Sequence, residues 1–238
     1  MCAPPTREVV LMHIHPIDWE KAVAEYEAIV RNLSAIQDLS REYNKGNITS
    51  TPLTIRGYLD FLNFFWNHGL LRDLSAPVRI LDVGCFLNMF ADFIHVNADT
   101  IEKYGVRVAC AGLESNILYC RLARDLFPEA ELIRGDIRNA TELTDHTFDI
   151  VVLNNFFHQY LDFSRRDIAD TFAAIHAILR PGGYIFYKYA NSQQPQPEYA
   201  AVYDKHGGCH RVADLVPENY LCPDQCYAQY WYLTRKLP

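Results

Sequence analysis

Apolar side chains in the first part of the chain recur at the spacing of an α-helix. From Trp19 they follow at steps of three and four through Ala22, Tyr26 and Ile29, which places them on one helix face. Asp18 precedes this run and has a side chain suited to a helix N-cap. The pattern predicts an amphipathic helix that begins near Trp19.

A second helical segment, IRGYLDFLNFFWNHGLL, is dense in aromatic residues, and Gly69 is a suitable stop for it. Two interpretations of this segment are open. It is either a helix packed on the main core or a lid whose inner face meets an apolar or aromatic substrate. In both cases we expect residues 1–75 to form an N-terminal helical cap.

From Val78 onward, short apolar runs alternate with helical stretches. The strand candidates are VRILDVG, VRVACAGLE, AELIRGD, FDIVVLNNF and YIFYKYA. The helix patterns include NMFADFIHVNADTIEKY and a run from Asp167 to Leu179, which the turn sequence RPGG ends. This alternation predicts an α/β three-layer sandwich over 76–238, a parallel sheet with helices on both faces. YAQYWYLTRKL near the end of the chain has the alternation of a last strand.

Composition narrows the class of protein. The 238 residues carry a formal net charge of -7, and no dense Lys/Arg run supplies the basic face that nucleic-acid binding requires. No apolar run reaches the roughly 20 residues that span a bilayer, and the N-terminal stretch lacks the pattern of a signal peptide. Seven cysteines, several of them in apolar segments, favour reduced thiols over a disulfide framework. We therefore expect a cytoplasmic protein with no membrane partner.

Polar residues stand at the ends of four predicted strands. They are Asp82 before Gly84, then Glu114, Asp136 and the pair Asn154 and Asn155. In an open parallel sheet, ligands bind beyond the carboxyl ends of the strands, near the point where strand order reverses. The sequence therefore predicts a binding site at this edge of the sheet.

These pieces, in this order, resemble the class I, Rossmann-like S-adenosylmethionine-dependent methyltransferases. The matching motifs are ILDVGC, GLESN, IRGDIRN, FDIVVLNNFFH and LRPGGYIFY, and the resemblance covers the chain from Val78 to Ala190. Each motif alone is a weak signal, but five in sequence at strand ends are a strong one. The resemblance implies a seven-stranded, mostly parallel sheet with an antiparallel last strand, and S-adenosyl-L-methionine as the cofactor.

The resemblance also implies roles for the residues at the strand ends. Gly84 matches the turn where the backbone approaches the amino-acid end of the cofactor, and Asp82 lies beside the methionine part. Glu114 matches the acid that accepts hydrogen bonds from the ribose hydroxyls, which suits the two oxygens of a carboxylate. Asp136 matches the acid beside the adenine amino group, with Ile137 against the ring. The alternative is that such acids are helix caps or surface groups.

The loop after the first strand departs from the family pattern. Two further glycines are usual there, and this chain has Phe86 and Asn88. Asn tolerates a left-handed backbone better than most residues and is a suitable N-cap, whereas Phe at positive φ costs about 1 kcal/mol or more. We expect both residues to contribute to a reshaped cofactor loop, with Phe86 turned away or packed on the substrate. The competing interpretation is a degenerate fold that binds or scaffolds a partner without turnover.

Residues after the fourth strand are candidates for the chemistry. His158 is the best general base, although it could equally be a helix-start histidine. Asn154 is expected to lie on the cofactor side, while Asn155, Tyr160 and Tyr189 are expected to hold the substrate. The motif NNFF lacks the prolines of the methyltransferases that act on nucleic-acid amino groups, so we expect a small-molecule acceptor. A nucleic-acid or protein acceptor is the alternative.

A zinc site is a second possibility in the last part of the chain. His206, Cys209, His210, Cys222 and Cys226 are of the right residue types. The usual pair of cysteines separated by two residues is absent, since three residues separate Cys222 from Cys226. We therefore predict loop or substrate-contacting residues here and no bound metal.

Overall fold

The structure is a computed structural model. It describes the following residues: 19–32, 58, 65, 74, 76–103, 105–143, 147–154, 156–157, 163–188, 201–203, 208–215, 220–221 and 231–237.

One sheet organises the described part of the chain. Its strands are β1 Val78–Val83, β2 Val108–Glu114, β3 Glu131–Arg134, β4 Phe148–Asn154, β5 Leu179–Lys188, β8 Tyr220–Leu221 and β9 Trp231–Lys236. Their order across the sheet is β3-β2-β1-β4-β5-β9-β8. The strands from β1 to β5 are parallel, and β9 is antiparallel to both β5 and β8. The predicted mostly parallel sheet of seven strands is confirmed, with β8 contributing only two residues. A separate pair of strands, β6 Ala201–Tyr203 and β7 Cys209–Arg211, is antiparallel.

Helix α1 Trp19–Asn32 precedes the sheet. The helices between the parallel strands, which the alternation predicted, are α2 Met89–Val96, α3 Ala98–Glu102, α4 Ile117–Leu126 and α5 Arg165–Ile178. Short 3₁₀ segments cover Ile137–Leu143 and Val212–Asp214. Among the described residues, none of these helices is long and apolar enough to cross a membrane.

The core has two layers, one on each face of the sheet. Successive residues of the central strands alternate between them: in β4, Ile150 and Val152 face one layer, while Val151 and Leu153 face the other. All four side chains are fully buried. Burial on both faces explains why this strand reads as a continuous apolar run rather than an alternating one.

The N-terminal residues that the structure describes pack on one of these layers. Ala22, Tyr26 and Ile29 of α1 contact it, as the helical period predicted. Phe65 is fully buried and meets the rings of Tyr184 and Phe186 edge-on, with centroids 5.7 and 5.2 Å away. For Phe65, the interpretation of the aromatic segment as core packing therefore holds.

The helix expected over NMFADFIHVNADTIEKY is divided into α2 and α3. The break lies at Asn97, whose side-chain amide donates to the carbonyl oxygen of Phe93 at 2.8 Å. Such local side-chain bonds compete with helix continuation. The single-helix prediction was wrong at this position because apolar periodicity does not register a cap.

The start of α5 and the start of β5 both differ from the sequence-based prediction. Helix α5 begins at Arg165 because Ser164 caps it, forming a capping box with Asp167. Strand β5 begins at Leu179, opposite Phe148, and regular pairing resumes only at Tyr184, opposite Ile150. The turn sequence is therefore an irregularity within the strand rather than a loop before it.

A glycine in β2 makes room for the loop that follows β1. A Cβ atom on Gly112 would lie 1.9 Å from Oδ1 of Asn88 and 2.5 Å from Sγ of Cys85. Both distances are far below contact, so Gly112 is required by the bulk of its neighbours. The asparagine in the loop and the glycine in the strand are a matched pair.

We predict that Gly112→Ala lowers the free energy of unfolding by about 1–3 kcal/mol, because an extra methyl group overpacks this contact. In an Asn88→Gly background the same substitution should cost about 1 kcal/mol less, since the nearest clash is gone and the two sites couple. Urea unfolding of the four proteins measures both costs. Equal costs in the two backgrounds would show that Gly112 and Asn88 do not share this space.

Candidate functional site

The carboxyl ends of four parallel strands meet at one edge of the sheet. The chain fills the sheet outward from β1 through β2 to β3, then returns to add β4 on the other side of β1. Strand order therefore reverses between β1 and β4, which is where open α/β sheets bind ligands. Asp82, Glu114 and Asn154 lie at the ends of β1, β2 and β4 around this point.

The loop after β1 keeps the backbone of a glycine-rich turn. Gly84, Phe86 and Asn88 all have positive φ, at 71°, 54° and 62°. These are the three alternating positions where glycines were expected. The left-handed backbone has been retained with two other residues, at a cost of about 1–2 kcal/mol for a residue such as Phe86.

Phe86 is held in this strained position by its backbone and by its ring. Its N–H donates to Oε2 of Glu114 at 3.1 Å. Its ring meets Tyr119 of α4 edge-on, with centroids 4.6 Å apart. The ring thus packs against the helix that follows β2, on the side of the site that carries Glu114.

Asn88 occupies the N-cap position of α2, but its side chain makes no capping hydrogen bond. Nδ2 instead donates to the carbonyl oxygen of Glu131 in β3 at 3.1 Å. The expectation of a conventional N-cap was therefore wrong: the side chain ties the loop to β3. Oδ1 is buried, and no donor among the described residues reaches it.

Glu114 connects the two loops that border the site. Oε2 accepts from Phe86 N, and Oε1 accepts from Asn116 N at 2.8 Å. Burial raises the pKa of this carboxyl, while the backbone hydrogen bonds oppose the rise. A carboxylate so held still has lone pairs for further donors.

Asp82 has no exposed surface. Oδ2 accepts from the hydroxyl of Tyr58 at 2.7 Å, and that hydroxyl is also hydrogen-bonded to the side chain of Asn154. Burial raises the pKa of Asp82 to about 8, the Tyr58 hydrogen bond lowers it, and the nearby Glu114 raises it. Tyr58 therefore covers the carboxyl that the sequence placed beside the methionine part of the cofactor.

Asp136 forms an ion pair with Arg138. Arg138 donates to Oδ2 of Asp136 through Nη2 at 2.6 Å and to Oδ1 of Asp167 through Nη1 at 2.6 Å. The hydrogen bond from Arg138 lowers the pKa of Asp136. Ile137 is 2% exposed and belongs to the core layer that includes α5. The adenine contacts expected of Asp136 and Ile137 stay predictions.

Phe156 packs on the first residue of the loop. Its Cδ2 would lie 2.8 Å from a Cβ on Gly84, so only glycine fits beneath this ring. Phe156 also contacts Phe157 and Phe163 in an aromatic cluster, with centroids 5.2 and 5.3 Å away. Any ligand at Gly84 shares its surroundings with this cluster.

Sequence reasoning missed three contributors to the site: Tyr58, Phe156 and Arg138. Tyr58 and Phe156 were visible only as members of aromatic runs, and nothing in the spacing pointed either ring at the loop. Arg138 sits two residues beyond Asp136 in IRGDIRN, and that spacing was the available signal for the ion pair.

Several predicted residues lie outside the described part of the chain. They are Asn155, His158, Tyr160, Tyr189, His206, Cys222 and Cys226. Of the zinc candidates, Cys209 and His210 are described, both in β7. Within the described residues, no group of three or more His, Cys, Asp or Glu side chains could hold a metal ion.

Comparison with known proteins gives one matching family model, described as a methyltransferase domain and covering residues 81–187. This range runs from β1 to β5 and includes the loop, Glu114, Asp136 and Asn154. Tyr58 lies before it.

Two curated relatives are similar over part of their length. Phthiotriol/phenolphthiotriol dimycocerosates methyltransferase 1 of Mycobacterium ulcerans (strain Agy99) is 28% identical over 128 residues, which are 54% of this chain and 43% of the relative. Ribosomal RNA small subunit methyltransferase C of Pasteurella multocida (strain Pm70) is 28% identical over 145 residues, 60% of this chain and 41% of the relative. The chain covers less than half the length of either relative.

One solved structure is similar in fold over most of the chain. The PH0226 protein from Pyrococcus horikoshii OT3 superposes with a TM-score of 0.51 at 18% identity, covering 83% of this chain and 96% of that protein. This likeness concerns the fold alone. The family match over β1 to β5 and the acids at the strand ends agree, and residues 81–187 of this chain are similar to a methyltransferase domain.

Proposed function

We propose that this protein transfers a methyl group from S-adenosylmethionine to a small-molecule acceptor. Residues 76–238 form the methyltransferase domain in this proposal, and residues 1–75 form a helical cap. One observation carries it: Gly84, Phe86 and Asn88 keep the alternating positive φ of a cofactor-binding turn although two of them are not glycine. A strained backbone persists where the surroundings hold it, and such strain clusters at functional sites.

The described residues around the loop fit an adenosine-bearing cofactor. The Glu114 carboxylate lies beside the loop and suits a vicinal diol. Ile117 and Leu118, at the start of α4, are large apolar side chains that are 40% and 36% exposed. Exposed apolar surface directly after the acid suits contact with an aromatic base. We propose Asp82, Gly84 and Asn154 for the methionine half, and Asp136 with Ile137 for the adenine edge.

The cofactor supplies an electrophilic methyl group, and the protein has to align an acceptor with it and exclude competing water. We propose that Asn155, Tyr160 and Tyr189 hold the acceptor, and that His158 removes a proton if the acceptor carries one. These assignments come from the position of the residues after β4 and β5 in the sequence. A cytoplasmic location is part of the proposal, and three buried cysteines without disulfides support it: Cys85, Cys110 and Cys120.

The proposed class of methyl acceptor rests on the net charge of the protein. A formal net charge of -7 favours a small acceptor over a polyanion such as RNA. One relative is named for ribosomal RNA, so an RNA acceptor is the second candidate. A methyltransferase fold that binds a partner without turnover is the third, and retention of the loop geometry speaks against it.

We predict that the purified protein binds S-adenosylhomocysteine, the demethylated cofactor, and that Glu114→Ala weakens this binding by about 1.5–3 kcal/mol, roughly 10- to 150-fold in Kd. The reason is the loss of a charged acceptor that also holds Phe86 N and Asn116 N in place. Calorimetry measures the dissociation constants. Glu129→Ala, which removes an exposed carboxylate elsewhere in the chain, is the matched control.

Absence of binding to the folded wild-type protein would overturn the proposed enzyme. Equal affinities for wild type and Glu114→Ala would mean that the ribose does not lie at the end of β2. Circular dichroism of each variant shows whether the fold has survived the substitution.

We also predict that Phe86→Gly changes cofactor affinity by more than it changes the KM for the acceptor. The glycine relieves a positive φ worth about 1 kcal/mol, and it removes a ring that contacts Tyr119 on the Glu114 side of the site. Steady-state kinetics with both substrates varied, together with calorimetry, separate the two effects.

The opposite result has a clear meaning. An increase in acceptor KM with unchanged cofactor affinity would place the Phe86 ring on the acceptor, in line with the substrate-packed alternative. Tyr119→Leu is the companion variant, because it removes the edge contact of the ring without altering the loop backbone.

A further inference from the structure

Tyr58 donates a hydrogen bond to a carboxyl at the centre of the candidate site. The donor is its hydroxyl, the acceptor is Oδ2 of Asp82, and the distance is 2.7 Å. The Tyr58 ring stacks on Phe90 of α2 with centroids 4.4 Å apart and planes within 3° of parallel. The ring is thus fixed by packing, and the hydroxyl is aimed at a single carboxyl group.

The other oxygen of this carboxyl lacks a donor within the part of the chain that the structure describes. Oδ1 of Asp82 is buried, and no donor among the described residues reaches it. A buried charge without a partner is costly, so such a group either keeps a proton or waits for a positive charge. The carboxyl lies at the end of β1, directly before the loop of residues 84–88.

Tyr58 also bridges the two strands between which strand order reverses. Its hydroxyl is hydrogen-bonded to Asn154 at the end of β4 as well as to Asp82 at the end of β1. Tyr58 lies outside the range 81–187 that matches the methyltransferase family model. The hydroxyl in this contact therefore comes from a part of the chain that precedes the residues matched by the family model.

We propose that Tyr58 is a positioning residue of the cofactor site, whose hydroxyl orients Asp82 and favours its ionised form beneath the loop that receives the cationic end of the cofactor. The inference rests on the proposed function and deepens it. Asp82 has no exposed surface, so in this arrangement it acts through its field rather than by direct contact. A field in a buried site is strong because little water screens it.

The protonation state of Asp82 depends on the titratable groups around it. The titratable groups that act on it or feel it are Tyr58, Cys85 in the loop, and Cys110 and Glu114 in β2. Burial holds the pKa of both thiols and of Tyr58 well above their ordinary values, so these three stay neutral near neutral pH. Burial also raises the pKa of Glu114, so this carboxyl affects the charge of the site in the acid part of the pH range.

The sign of the pH dependence is then fixed. With a pKa of about 8, Asp82 retains a proton in the ligand-free protein near neutral pH. A cationic ligand favours the ionised form and releases that proton. Affinity for a cation should therefore rise with pH and level off above about 8. Loss of the Tyr58 hydrogen bond, which lowers this pKa, should move the plateau to higher pH.

Three ligands that differ in charge test the proposal. S-adenosylmethionine carries a sulfonium and an ammonium group, S-adenosylhomocysteine carries only the ammonium, and 5′-methylthioadenosine carries neither. Tyr58→Phe keeps the ring on Phe90 and removes only the hydroxyl. We predict roughly a tenfold or greater loss of affinity for S-adenosylmethionine, a smaller loss for S-adenosylhomocysteine, and a change of less than about twofold for 5′-methylthioadenosine, since hydrogen bonds to charged groups are stronger than those to neutral groups.

Tyr26→Phe is the matched control. Tyr26 in α1 donates its hydroxyl to Oδ2 of Asp92 in α2 at 2.5 Å, so it is a second tyrosine–aspartate bond that joins the N-terminal segment to the domain away from the strand ends. All three affinities should stay as in the wild type. Calorimetry at several pH values gives the affinities and the position of the plateau.

An equal loss for all three ligands in Tyr58→Phe, with an unmoved pH profile, would overturn the proposal and make Tyr58 a structural residue. Failure of the wild type to bind any of the three would instead overturn the proposed function. If Tyr58→Phe does not fold, Asp82→Asn supplies the test, because it removes the charge and keeps an acceptor for Tyr58. It should cut the preference for S-adenosylmethionine over S-adenosylhomocysteine, and an unchanged preference would overturn the inference.

Discussion

The carboxylate of Glu114 is the interaction on which the geometry of the site depends. One of its oxygens accepts from the loop after β1, through Phe86 N, and the other accepts from the turn after β2, through Asn116 N. The first bond fixes a residue whose left-handed backbone is unfavourable on its own. The ring of Phe86 on Tyr119 and the bond from Asn88 to Glu131 add to this restraint, because two of the three usual glycines are absent and the turn is not favoured by the backbone alone.

The same loop imposes demands on its surroundings. Asn88 needs a glycine at position 112, and the ring of Phe156 needs a glycine at position 84. The two glycines therefore stand where a side chain would collide with Phe156 or with Asn88. The loop is therefore a rebuilt turn with matched neighbours, which argues against simple decay of a cofactor site.

The sequence was sufficient to predict features that depend on a local repeat or on the general architecture of a parallel sheet. Apolar runs gave the parallel strands, and strand ends gave Asp82, Glu114 and Asn154, because the edge of a parallel sheet gathers such residues. It was insufficient for contacts between distant side chains. The bond from Tyr58 to Asp82 and the Arg138 pair with Asp167 depend on the packing of separate elements, and period and spacing carry no information about that. The sequence pattern also did not predict the division of the helix at Asn97 or the early start of β5. Caps and bulges interrupt a helix or strand without changing the apolar pattern from which it is predicted.

Two buried acids side by side also set a limit on the stability of the ligand-free protein. Asp82 has a pKa of about 8 in the fold against 3.8 in an ordinary environment, so the folded chain holds a proton that the unfolded chain releases between these values. The free energy of unfolding therefore falls as the pH rises from about 4 to about 8, and the contribution is lost above the folded pKa. Glu114 adds to the effect, since its nearby carboxyl raises the cost of ionising Asp82. In the function proposed above, a ligand that brings positive charge to this edge of the sheet would offset this cost of ionising Asp82, so part of the stability of the empty site would be exchanged for affinity. Tyr58 moderates that exchange from outside the shared domain, which makes the N-terminal segment part of the electrostatics of the site as well as part of its core.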